Sequence, residues 1–97
     1  MARLLIKTGG LENQTLELRF GTNRVGRDPD CDFSIDHPTV SSNHCELVLS
    51  SEGVMLRDCD STNGTFVNGE RITSQRLADG DRVNVGRTAL TYRGGHR

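Results

Sequence analysis

An all-β domain, a sandwich or barrel of about ten short antiparallel strands, is the fold this sequence predicts. Three observations predict it. Apolar and polar residues alternate over short runs, the period of a half-buried strand. Turn-forming pairs such as Asn63-Gly64, Asn68-Gly69 and Asp79-Gly80 separate those runs. Nowhere do apolar residues recur at i, i+3, i+4 and i+7 over ten residues, so no substantial helix is expected.

Taken in order, Leu4-Leu5-Ile6 opens a strand that Thr8-Gly9-Gly10 closes. Gln14 to Phe20 alternates strictly, which puts Leu16, Leu18 and Phe20 on one face and Thr15, Glu17 and Arg19 on the other. Gly21-Thr22-Asn23 reads as a turn. Arg24 to Arg27 then runs into the turn triplet Asp28-Pro29-Asp30. Phe33-Ser34-Ile35 is a short strand, and Asp36 to Thr39 a loop that Asp36 or Thr39 caps locally. After the polar loop Val40 to Asn43, the run His44 to Leu49 places Cys45, Leu47 and Leu49 on one face. Ser50 to Gly53 turns into Val54-Met55-Leu56. Thr65-Phe66-Val67 is a β-prone run between two Asn-Gly pairs, the second of which reads as a hairpin turn. Arg71-Ile72 and Leu77 follow. Val83 and Val85 face opposite to Arg82 and Asn84, and Gly86-Arg87 turns into Thr88 to Tyr92. Residues 93–97 read as a loose tail after one domain with its core over 4–92.

The totals narrow the function. Ninety-seven residues suit a single domain with a modest core. Twelve Lys and Arg against 13 Asp and Glu leave a net charge of −1, no drive toward nucleic acid or anionic membrane. With no Trp and one Tyr, a stacking platform for single strands is not expected. No run of about 18 apolar residues spans a bilayer, and the opening Met1 to Lys7 is too short an apolar core for a signal peptide. Cys31, Cys45 and Cys59, odd in number and without a C-x-x-C, argue for a reducing compartment over a disulfide framework. The expected setting is the cytoplasm, or the nucleus in a eukaryote.

The densest polar stretch is Asp60-Ser61-Thr62-Asn63, rich in hydroxyl and amide groups. Such a loop either satisfies its own backbone or binds something polar. Two further polar sites stand where a strand meets a loop: Gly26-Arg27 and Ser41-Ser42-Asn43-His44. Ser41 and His44 raise the question of a nucleophile and base. At i and i+3 of an extended chain, however, their side chains point to opposite faces. The cysteines with His37 or His44 match no zinc spacing. Neither a catalytic residue, a metal nor a cofactor is therefore expected.

The order Gly26-Arg27, then Ser41-x-x-His44, then Asp58-x-x-Ser61-Thr62-Asn63-Gly64-Thr65-x-Val67-Asn68-Gly69 resembles the forkhead-associated (FHA) domain over about Leu4 to Tyr92. Gly26-Arg27-Asp28 ahead of Phe33-Ser34-Ile35, and Leu77 to Asp81 ahead of Val83 to Gly86, agree with it. The resemblance implies an eleven-stranded β-sandwich whose loops at one end bind phosphothreonine in a partner protein. It implies phosphopeptide contacts from Arg27, Ser41, Ser42, Thr62 and Asn63, with Gly26, His44, Gly64 and Asn68 supporting the site. It makes Asn63 the residue that holds the ligand's main chain, and His44 a scaffold residue tying the loops together.

The chemistry agrees. A phosphothreonine carries about −1.5 to −2 charge and three acceptor oxygens. The Arg27 guanidinium is a fork suited to phosphate, and hydroxyls and loop N–H groups add neutral donors. Many family members carry a second cation directly after the serine; here that position is Ser42. Losing one charge-assisted bond lowers affinity about tenfold. Flanking selectivity is expected from Asn63 to Gly69 and Ser74-Gln75-Arg76, with Arg71 and Arg76 favouring an acidic ligand side chain. The partner is expected to be a phosphorylated protein, not nucleic acid or membrane, and the domain monomeric. The competing reading is a sandwich that binds its partner through a sheet face or edge, independently of phosphorylation.

Overall fold

A computed structural model describes residues 3–6 and 15–94. Eleven strands follow one another among them. They are β1 (Arg3–Ile6), β2 (Thr15–Glu17), β3 (Gly21–Gly26), β4 (Phe33–Ser34), β5 (Cys45–Ser50), β6 (Gly53–Asp58), β7 (Thr65–Val67), β8 (Glu70–Arg71), β9 (Ser74–Arg76), β10 (Arg82–Val85) and β11 (Thr88–Arg93). They form two sheets, ordered β2-β1-β11-β10-β7-β8 and β4-β3-β5-β6-β9. No helix occurs among the described residues.

The alternation read from the sequence is what closes the core. Val25, Leu47, Val54 and Leu56 from one sheet meet Val83, Val85 and Leu90 from the other, each at most 1% exposed. Cys45 and Leu47 of β5 point inward as their alternation requires. Ile35 and Val40 bring the β4–β5 loop into the same core. That loop is therefore anchored at both ends by apolar burial, and its polar segment is held against the sandwich.

Several details differ from the sequence expectation. The strand read over Gln14 to Phe20 is paired only through Thr15–Glu17, and Gln14 lies outside the described residues. Leu18 is buried, but Phe20 is 76% exposed. The chain has by then left the sheet: the Asn23 side chain accepts the Arg19 N–H and donates to the Arg19 carbonyl, closing a turn over 19–23. Gly21-Thr22-Asn23 is consequently the start of β3, with Asn23 buried inside it, and not a turn of its own. β4 pairs β3 in parallel, where the expected sheets were purely antiparallel. Arg93 belongs to β11, and the Gly94 N–H donates to the Asp79 carboxylate at 2.9 Å, so the loose tail does not begin at 93. Thr8-Gly9-Gly10 and residues 95–97 lie outside the described residues.

The turn at Asn68-Gly69 has both residues in the left-handed region (φ 51° and 88°), the geometry of a two-residue hairpin. It lies at the end of β7 remote from Thr65.

Candidate functional site

Four connections meet at one end of the sandwich: β3–β4, β4–β5, β6–β7 and the β10–β11 turn. Hydrogen bonds between distant parts of the chain hold them together. The Arg27 N–H donates to the Ser41 carbonyl (2.9 Å) and the Asp28 N–H to the Ser42 carbonyl (3.2 Å). The Thr62 N–H donates to Ser41 Oγ at 3.1 Å. The Asn63 side-chain amide donates to the Thr39 carbonyl at 2.8 Å, and the Arg87 N–H donates to Thr39 Oγ1 at 2.9 Å.

His44 is the fully buried hinge of this arrangement. The Ser41 N–H can only donate, so Nδ1 accepts it at 3.0 Å; the Gly64 carbonyl can only accept, so Nε2 donates to it at 2.8 Å. One neutral tautomer satisfies both bonds and joins the Ser41 loop to the Asn63 loop. Gly64 itself sits at φ +94°, where a side chain is strained. Its N–H donates to Ser61 Oγ.

Asp58, at the end of β6, organises the Asn63 loop from beneath. Its carboxylate accepts the Ser61 and Thr65 hydroxyls and the Ser61 N–H. Burial works to raise this carboxyl, but those three hydrogen bonds outweigh it and hold the group below its ordinary range. A depressed carboxylate contributes stability that is present above its unfolded value of about 4 and is lost as pH falls through the lower folded value. The midpoint of thermal unfolding should therefore drop as pH is lowered from about 5 to about 2. Asp58→Asn should be less stable than the wild type at pH 7 and equal to it at the acid end. A variant gap that persists unchanged in acid would reject this role for the Asp58 charge.

Arg27, Thr39, Ser41, Ser42, Thr62 and Asn63 line a single open depression of about 300 Å³, with Pro38 and Val40. The sequence-predicted contact residues are thus brought together. Arg27 is the one formally charged side chain among those lining residues. It is exposed and makes no ion pair among the described residues. The neighbouring Asp28 carboxylate is occupied, accepting the Asp30 N–H at 2.9 Å. Ser41 Oγ accepts from the Thr62 N–H, which leaves its own proton to donate. Asn63 uses one amide hydrogen on Thr39 and keeps its carbonyl oxygen and second hydrogen. This set, one planar cation with hydroxyl and amide donors around it, suits a small anion.

Ser41 and His44 do not form a nucleophile–base pair. His44 takes the Ser41 backbone N–H, not its hydroxyl. Among the described residues no group of His, Cys, Asp or Glu is arranged to hold a metal. Burial pushes up the thiols of Cys31, Cys45 and Cys59. No helix of the described residues is long and apolar enough to cross a membrane.

Two expected roles are corrected by position. Asn68 supports no part of this depression: its side chain bonds Asp81 (3.0 Å) and the Arg82 N–H (3.0 Å), fastening the far hairpin to β10. Three strand residues carry the chain about 10 Å from Thr65 to Asn68, which accounts for the separation. Arg76 is likewise unavailable. It donates to the Glu52 carbonyl at 3.0 Å and faces the Glu52 carboxylate at 3.8 Å, beside the β5–β6 hairpin at the other end of the sandwich. Asp58 and Thr39 were not singled out as site residues. The D-x-x-S spacing of Asp58 and Ser61, a side-chain-to-backbone turn pattern, was the available signal for the first; nothing local marks Thr39.

A family model for the FHA domain matches residues 23–86. Glycogen accumulation regulator GarA of Mycolicibacterium smegmatis is 37% identical over 91 residues, 94% of this chain. The chain spans 58% of that relative's length. A solved structure from a study of phosphothreonine-dependent FHA domain interactions superposes with a TM-score of 0.91 at 33% identity, covering 99% of this chain and 97% of that one. The FhaA FHA domain, solved in complex with the intracellular domain of Rv3910, gives 0.89 at 33% identity, covering 96% of this chain and all of that one.

Proposed function

Since the chain belongs to the FHA domain family, we propose that it is a phosphothreonine-dependent protein-interaction module that takes phosphorylated partner segments into the depression between its loops. The observation that carries this reading is the Arg27 guanidinium, exposed and unpaired among the described residues, beside the Ser41 hydroxyl and the Asn63 amide. Arg27 and Ser41 take the phosphate oxygens, with Ser42 adding a hydroxyl where a second cation is absent. Thr62 packs near the threonine methyl, and Asn63 pairs with the ligand's main chain. Gly26, His44 and Gly64 hold these groups in place. The relatives named above include a regulator and a domain captured on a partner protein, which agrees with binding in place of catalysis.

A broader recess of about 460 Å³ lies on the outer face of β10 and β11, lined by Arg82, Asn84, Ala89, Leu90 and Thr91. It draws on two neighbouring strands only, without the convergence of several loops seen around Arg27, so the sheet-face reading is the weaker one.

Binding of degenerate peptide libraries tests the proposal. Fluorescence polarisation should show binding to a library with a fixed phosphothreonine and none to its unphosphorylated counterpart. Phosphoserine should bind more weakly, by at least the fourfold that one buried methyl at about 0.8 kcal/mol supplies. Equal binding to phosphorylated and unphosphorylated libraries would move the working surface to the sheet faces.

A further inference from the structure

Resting on the phosphothreonine reading above, we infer that His37 is a positioning residue of the same site. Its unprotonated Nδ1 holds Thr39, and through Thr39 the Asn63 amide, so binding of the phosphorylated segment responds to a proton on a ring outside the depression. His37 does not line the depression, whereas Pro38 and Thr39, the next two residues, do. It opens a tight turn in which the Val40 N–H donates to the His37 carbonyl at 2.9 Å. Pro38 takes the second position, where its fixed φ suits the turn. The first position usually carries Asp, Asn or Ser, whose side chain accepts the N–H two residues on. Here the imidazole fills that place: the Thr39 N–H donates to His37 Nδ1 at 3.2 Å. The local cap that the sequence suggested at Asp36 or Thr39 is therefore supplied by His37.

The state of the ring follows from its donors. A backbone N–H can only donate, so Nδ1 carries no proton. The Thr39 hydroxyl, 2.8 Å from the same nitrogen, must then donate to it as well. With that proton engaged, Thr39 Oγ1 accepts the Arg87 N–H at 2.9 Å, and the Thr39 carbonyl accepts the Asn63 side-chain amide at 2.8 Å. Gly86 packs closely on the same residue: a Cβ there would run into the Thr39 carbonyl oxygen, with Oγ1 at 2.8 Å. Thr39 cannot shift without disturbing the β6–β7 loop or the β10–β11 turn.

A proton on Nδ1 reverses this. The nitrogen becomes a donor facing the Thr39 N–H, which loses its acceptor, and the hydroxyl can no longer donate to it. The ring or Thr39 turns away, and the carbonyl that holds Asn63 moves with Thr39. Histidine is the side chain that makes this change between about pH 5 and 8. Charged groups on the segments bonded to this loop are Asp36 beside the ring, Arg27 and Asp28 on β3–β4, Asp58 and Asp60 below and within the β6–β7 loop, and Arg87 on the β10–β11 turn. Among the described residues none of their side chains bonds the ring, whose partner is Thr39. His44, the other ring at the site, faces the Ser41 N–H and the Gly64 carbonyl.

One phosphothreonine peptide, titrated by fluorescence polarisation at about pH 7.5 and about pH 5.5, tests this on the wild type, His37→Asn and His37→Ala. Asparagine keeps an acceptor for the Thr39 N–H and does not titrate. At the higher pH, His37→Asn should bind within about twofold of the wild type, and His37→Ala about fivefold more weakly, the value of one hydrogen bond. All three should lose affinity in acid, because the ligand phosphate takes up a proton near about pH 6 and His44 is common to them. The wild type should lose about three- to tenfold more than His37→Asn. Melting curves at both pH values establish that the proteins compared are folded. Equal losses in the wild type and His37→Asn, or undiminished affinity of His37→Ala at the higher pH, would overturn the inference while leaving the phosphothreonine site standing. Failure of the wild type to bind the phosphopeptide at the higher pH would overturn the underlying reading, and this inference with it.

Discussion

Arg27→Ala should lose phosphothreonine-peptide binding by about a hundredfold while its thermal midpoint stays within about 3 °C of the wild type. The two halves of that result come from different atoms. A bidentate guanidinium–phosphate contact supplies two charge-assisted hydrogen bonds, each worth about 1.5–3 kcal/mol. Losing about 3 kcal/mol corresponds to the hundredfold, and Ser42 supplies no charge to compensate. The fold has little at stake, because what Arg27 contributes to it is backbone: its N–H on the Ser41 carbonyl and its carbonyl accepting from Ser34 Oγ. Both survive truncation at Cβ. Exposed side chains without partners usually change stability by less than about 0.5 kcal/mol. Arg27→Lys should recover part of the affinity, since a point charge remains where the fork is gone. Calorimetric titration of the three proteins with one phosphopeptide, with circular dichroism melts alongside, measures both halves. A folded Arg27→Ala protein that keeps its affinity would remove phosphate binding from Arg27.

How far the fold and site were legible in the sequence depends on the range over which each signal acts. Strands such as β5 and β10 follow from alternation alone, because a period of two on one half-buried face leaves few options. The alternation over Leu16, Leu18 and Phe20 is equally regular, yet Phe20 ends in solvent. What ended the strand there was a side chain four residues further on, Asn23, claiming the Arg19 backbone. Within the site, Arg27, Ser41, Thr62 and Asn63 stand out as loop residues with the right donors. The residues that place them act through contacts far apart in sequence: Thr39 reaches Asn63 and Arg87 across separations of 24 and 48 residues, and His44 reaches Gly64 across 20. Such pairings depend on which loops the sheets bring to one end. Strand patterning does not encode that directly, which is why the ordered motif was needed to suggest it. The same limit separates Arg71 from Arg76. Both read as cations favouring an acidic ligand side chain, and only the register of β8 and β9 sends one beside Gly64 and the other to Glu52.

Gly26→Ala should be a severely damaging single-methyl change near the site, and its damage should reach binding as well as stability. Gly26 ends β3 and is buried, its carbonyl accepting the Ile35 N–H at 2.8 Å. A Cβ there would run into the Ser42 carbonyl oxygen, with the carbonyl carbon at 2.8 Å and Cys31 Sγ at 3.1 Å. The obstacle is backbone, not the end of a flexible side chain. It is also pinned, since the Ser42 carbonyl takes the Asp28 N–H and the Cys31 thiol. Relief requires the Ser41–Ser42 segment to lift from β3, which breaks the bonds that set Arg27 beside Ser41. Overpacking of this kind costs about 1–3 kcal/mol. Because the displaced segment carries Ser41 and Ser42, the hydroxyls proposed above to meet the phosphate, affinity should fall at least about tenfold even at temperatures where the variant is fully folded. Gly21→Ala is the control. Gly21 sits at φ +94°, so alanine is strained there by about 1 kcal/mol, but no atom lies within 4 Å of its Cβ position and the residue is at the other end of β3. It should lower the melting midpoint and leave phosphopeptide affinity unchanged. If both variants lose affinity in proportion to their loss of stability, the coupling runs through global unfolding and Gly26 has no particular hold on the Ser41 loop. If Gly26→Ala alone loses affinity while folded, the close approach of β3 to Ser42 is what keeps the anion donors in register.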